Sequence, residues 1–141
     1  MKKSWHLTAL VLLTLASGLS RAEPALLVIG HPLDQKPLQL NQEQIRNLFM
    51  GIPVARGLKP AGLTADNELH FLFNNEVIGL AEARIQSYWA QMKFTGRKSP
   101  PAEFSSEQQL LDYIRQTPGA IGYVSADIPL PQPVQILLKI D

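Results

Sequence analysis

Thr64-Ala-Asp-Asn67 and Thr95-Gly96-Arg97-Lys98 are the two segments whose residue types and spacing could do chemistry. The first lies between a short apolar stretch and a helical pattern. Free backbone N–H groups at such a turn form an anion site, to which Thr64 and Asn67 add side-chain donors. His70, one turn further on, adds charge when protonated. Asp66 repels a bare anion but accepts a hydrogen bond from a protonated one. The competing reading is N-capping by Asp66 or Asn67, which needs no ligand. In the second segment a hydroxyl, a flexible glycine and two cations could clamp a phosphate or a carboxylate. Its competing reading is a helix C-cap, with Gly96 left-handed and Arg97 and Lys98 answering the helix dipole. Trp89 and Phe94 beside it read as core rather than as a stacking platform.

Enzyme chemistry finds little support in the spacing. Beyond the leader only His31 and His70 are available, and there is no Gly-x-Ser-x-Gly elbow and no His-x-x-x-His pair. His31 follows a strand end, where α/β proteins often bind ligands, but a lone loop histidine before proline reads as a surface residue. Gly119-Ala-Ile-Gly122 lacks the third glycine of a dinucleotide loop and precedes a strand. Glu76 and Glu82 fall on expected helix surfaces, and Glu103 and Glu107 near a helix start. No nucleophile–base pair is spaced for hydrolysis, and no cofactor or metal is implied. With no cysteine, a disulfide scaffold, thiolate metal sites and cysteine nucleophiles are excluded.

The 141 residues allow a leader plus one domain. Residues 1–22 read as a secretory signal: Lys2 and Lys3, an apolar run from Leu7 to Leu15, then Ser20-Arg21-Ala22 before Glu23. The apolar stretch is shorter than the ~20 residues that cross a bilayer. The mature chain, residues 23–141, is therefore expected in the periplasm. It carries 10 of the 13 Lys and Arg and all 12 Asp and Glu, a net charge of −2. That argues against a nucleic-acid partner, which needs a basic face.

The elements that must position these residues follow from periodicity. Ala25–Gly30 reads as a strand buried on both faces. Asn41 opens a helix with Gln44 completing a capping box, and Ile45, Leu48 and Phe49 form its inner face. Ala61–Thr64 is a short strand. Leu69, Leu72, Phe73 and Val77 mark a second helix that Gly79 breaks. A third helix spans roughly 80–93, and Ser105 or Ser106 caps a fourth, with Leu110, Leu111 and Ile114 inward. Residues 120–124 and 134–140 are strands. The order β-α-β-α-α-α-β-β predicts an α/β fold with a mainly parallel sheet of about four strands flanked by helices.

Several stretches in order carry a resemblance. They are Leu40-x-x-x-Gln44-Ile-Arg-Asn-Leu-Phe-Met-Gly51, Tyr88-Trp89-x-x-x-x-Phe94-Thr95-Gly96-Arg97, Pro100-Pro101, Ser105-Ser-Glu-x-x-Leu-Leu111 and Thr117-Pro-Gly-Ala-Ile-Gly-Tyr-Val124. Together they resemble the short periplasmic proteins of the phosphate ABC transporter substrate-binding type, within the type II periplasmic-binding-protein superfamily. The resemblance covers nearly all of 25–140. It implies one lobe of such a binding protein, in a shortened version of receptors that close two lobes on the anion. Family members tend to carry a Gly-Ser-Pro-Leu-Arg-like turn at the second helix. Here the stretch reads Asp66-Asn-Glu-Leu-His70, with Asn67 in the place of the serine and His70 in that of the arginine.

The function expected is non-catalytic binding of phosphate or a similar small anion by an exported protein. Thr64, Asn67, His70, Thr95 and Arg97 are the expected contacts. The alternative is an interaction module built on the same lobe, docking on a membrane permease, a sensor or an envelope complex. Phe71 and the Pro129-Leu-Pro131-Gln-Pro133 segment would then belong to its surface.

Overall fold

β1 (Leu26–Gly30) is buried along its whole length and lies inside the sheet rather than at an edge. It belongs to a computed structural model that describes residues 25–96 and 98–141, together with Gly18. Apart from Gly18, the leader expected at 1–22 lies outside the described residues. The other elements are α1 (Gln42–Phe49), β2 (Lys59–Leu63), α2 (Glu68–Phe73), α3 (Glu82–Phe94), β3 (Ala102–Phe104), α4 (Glu107–Gln116), β4 (Ala120–Ser125) and β5 (Gln135–Ile140). A single π-helical turn, Asn74–Ile78, extends α2.

The capping chemistry read from the sequence is present. Asn41 Oδ1 accepts from Gln44 N–H, and Gln44 Oε1 accepts from Asn41 N–H, closing the capping box of α1. Asn67 caps α2 and Ser106 caps α4. Gly96 takes the left-handed conformation just past α3 (φ 67°).

The five strands run in the order β3-β2-β4-β1-β5. β2 is parallel to β3 and β4, whereas β1 is antiparallel to β4 and β5. The α/β class and the flanking helices are as expected, but parallel pairing accounts for two of the four strand contacts, not most of them. The reason is the last connection, 126–134. It carries the chain over β1 and lays β5 on the far side of it, running with β4. β3 escaped the sequence reading because its three residues directly follow Pro100-Pro101 and are too few for a visible alternation.

Successive residues of β4 point to opposite faces. Gly122 faces Ile114 and Leu110, which places α4 on one side of the sheet. The Tyr123 ring meets Phe49 of α1 and Phe73 of α2 on the other. Trp89 of α3 comes down beside Gly51 on that second side, and Tyr88 Oη donates to Met50 O at 2.6 Å. The carboxyl end of β2 and the turn that follows it therefore open toward α2 and α3. Among the described residues, no helix is long and apolar enough to cross a membrane.

Candidate functional site

The turn between β2 and α2 is tied down from both sides. Thr64 N–H donates to Phe104 O at 3.0 Å, and Asn67 N–H to Thr64 O at 3.0 Å. The Thr64 hydroxyl donates to the Asp66 carboxylate. Asn67 Oδ1 accepts from Leu69 N–H at 3.0 Å, the capping role. Among the described residues, the backbone amides of Ala65, Asp66 and Glu68 have no partner. Three unpaired amides thus stand at the carboxyl end of a strand that runs parallel to both its neighbours.

His70 is buried, and both of its ring nitrogens face acceptors. Nδ1 lies 2.7 Å from Leu63 O, and Nε2 2.7 Å from Glu82 Oε2. Both ring nitrogens of His70 are therefore partnered within the chain. Asn74 Nδ2 donates to the same Glu82 oxygen at 2.6 Å, and Gln86 Nε2 to the other at 2.6 Å. Burial alone would raise the Glu82 carboxyl. Hydrogen bonds from Gln86, His70 and Asn74, with the His70 charge, outweigh it and hold the carboxyl below its ordinary value.

A depressed carboxyl contributes stability above its unfolded value, about 4.3, and loses that contribution as pH falls through its folded value. Wild-type protein is therefore expected to lose urea resistance between about pH 5 and pH 3. Glu82→Gln, which cannot ionise, should be weaker at pH 7 and converge on wild type at the acid end. A constant gap between their urea midpoints across that range would assign the acid loss to other groups.

The structure brings Thr64, Asn67 and His70 together and sets Thr95 apart. Glu82 touches His70 at the start of α3, and Thr95 follows its end. The 13 residues of α3 span about 20 Å, so Thr95 cannot reach the same small ion. Its hydroxyl donates to Met92 O at 3.0 Å. Arg97 lies outside the described residues. Trp89 is core, as expected, but Phe94 is 94% exposed. The core reading of Phe94 is therefore corrected: α3 buries only Ile85 and Trp89, and position 94 lies off that face.

Glu82 was read as a helix-surface residue, whereas it anchors the network beneath the turn. Asn74 had a visible signal, since it stands four residues after His70 on the same helical face. Glu82 had none, because the Gly79 break separates it from that helix.

This arrangement defines a class by fold alone: an open α/β sheet flanked by helices, with the turn at the carboxyl end of a parallel strand. Among solved structures, the chain is similar to an ABC-type phosphate transport receptor from Vibrio cholerae, with a TM-score of 0.58 at 12% identity. The match covers 82% of this chain and 46% of the receptor, so the chain spans less than half of that protein's length. No family model matches the sequence, and no curated protein matches it.

Proposed function

We propose that this chain is an exported, non-catalytic binding lobe that takes phosphate or a similar small anion at the β2–α2 turn. The observation that carries this reading is the set of unpaired amides at Ala65, Asp66 and Glu68, on a fold similar to a phosphate transport receptor. Thr64 and Asn67 frame those amides, and the His70 ring lies in the following helical turn. Asp66 gives the site a chemical preference. Its carboxylate repels a fully ionised anion and accepts a hydrogen bond from one that keeps a proton. Phosphate keeps a proton at neutral pH and sulfate does not. Thr95 lies outside this site, at the other end of α3.

Calorimetric titration of the purified protein at pH 7, after dialysis to remove carried-over anion, tests this directly. Saturable one-to-one binding of phosphate, with sulfate weaker by about tenfold or more, is the expected result. Asp66→Asn should narrow that difference. Absence of heat and of thermal shift with either anion would overturn the reading.

A second reading has its own supporting observation. The side chains of Thr64, Asn67 and His70 are all partnered within the chain, whereas Phe71 and Phe94 project into solvent. That pattern fits a lobe that docks on the outer part of a membrane permease or sensor. Binding of no anion, together with cross-linking of a photoreactive residue at position 94 to one membrane protein, would favour it.

A further inference from the structure

A groove opens on the α2–α3 side of the sheet, with Gly62 in its lining. The register sets Gly62 beside Glu103 on β3. A Cβ at position 62 would lie 3.0 Å from Tyr123 Oη, so the phenol end of Tyr123 occupies the space over Gly62 and forms part of the groove wall. Ile85 and Trp89 of α3 line the groove, together with Phe73 and Tyr123. The resulting cavity is about 320 Å³. That is the size of a small-molecule pocket, and its lining is largely apolar with a few polar groups, as such pockets are.

The polar groups indicate what would fit. Tyr123 Oη accepts from Leu63 N–H at 3.0 Å, and no described residue accepts its own proton. The ring is only 2% exposed, so that proton is a buried donor at the edge of the cavity. Burial first, with the Glu103 and Glu82 charges adding and the Leu63 amide opposing, pushes the phenol well above its ordinary value and keeps it a donor. Glu103 and Lys93 line the mouth, and neither forms an ion pair with a described residue. At the inner end His70 Nε2 is paired with Glu82 Oε2 at 2.7 Å. The lining thus offers one unmatched negative charge, one unmatched positive charge, one hydroxyl donor and an apolar floor. A bare phosphate gains little from such walls, because its charge would lose water without compensation.

We propose that this groove is a second ligand site, beside the anion turn, for an amphiphilic amino acid: an apolar body inside the groove, an ammonium at Glu103 and a carboxylate at Lys93. The aromatic walls of Phe73, Trp89 and Tyr123 hold the body, and the opposed charges at the mouth select a zwitterion over either single ion.

The test titrates purified protein at pH 7 with L-phenylalanine and L-leucine, and with two fragments of the former. Hydrocinnamate lacks the amine and phenethylamine lacks the carboxylate. At least one amino acid should bind one-to-one, and both fragments about tenfold more weakly than phenylalanine. Glu103→Gln should weaken phenethylamine and spare hydrocinnamate, and Lys93→Met should do the reverse. Ala90→Leu, at an exposed position on the groove wall, should close the cavity and weaken binding of all probes, with thermal unfolding confirming that it folds. Saturating phosphate should leave amino-acid affinity unchanged, which separates this site from the turn whatever the outcome there. Absence of saturable binding by either amino acid at millimolar concentration overturns the proposal. So does binding that Glu103→Gln and the cavity-closing variant leave unchanged.

Discussion

Gly119→Ala is expected to destabilise the protein by about 3 kcal/mol, which would lower its melting temperature by ~10 °C. Gly119 sits at φ 81°, a conformation that costs an L-residue about 1–3 kcal/mol. A Cβ there would fall 2.1 Å from Gly57 O and 2.9 Å from Leu33 Cδ2. Neither backbone can yield easily. Gly119 N–H donates to His31 O at 3.0 Å, and Gly119 O accepts from Lys59 N–H at 2.9 Å. Those two bonds knit β1, β2 and β4 together at one end of the sheet. Moving the chain away from Gly57 would break at least one of them. Urea unfolding of the variant against wild type measures the cost. A difference under about 1 kcal/mol would mean that the 57–58 turn relaxes at little cost.

Phe73→Ala should be comparably severe, about 3–5 kcal/mol. The Phe73 ring is 1% exposed and stacks on Tyr123 with centroids 4.1 Å apart and planes 11° apart. It also meets Phe49 at 4.6 Å. Three aromatic rings from α1, α2 and β4 thus form one cluster, and Phe73 is its middle member. Truncation leaves a void that neither flanking ring can fill without giving up its own packing. Phe73→Leu keeps most of the volume and should cost under about 1.5 kcal/mol. Chemical denaturation of both variants separates the two effects. Equal losses would show that the aromatic geometry, rather than the filled volume, sets the energy.

The sequence was most legible where the chemistry is local. The Asn41–Gln44 capping box, the Ser106 cap and the left-handed Gly96 each involve residues a few positions apart, and each stands as read. The apolar run at 26–29 gave β1 for the same reason. What pairs with β1 was not legible, because pairing joins distant segments and β5 reaches its place through an irregular connection. The anion turn shows the same division. Its amides and the cap at Asn67 were readable from a strand-to-helix junction. The Glu82 carboxylate and the groove beside Tyr123 were not. A groove is visible only once its walls are known, and these walls come from α2, α3, β2, β3 and β4.

The place of β1 also governs when the chain can fold. Leu26 pairs with Ser125 on one side and with Ile140 on the other. During synthesis the first strand emerges early and waits for partners that are made last. Until β4 and β5 have left the ribosome, its apolar residues have no sheet to enter, and α1 and α2 have only part of a surface to pack on. Topologies dominated by such distant pairings close slowly, with their strand edges exposed meanwhile. β1 accordingly enters the sheet only once β4 and β5 have been made.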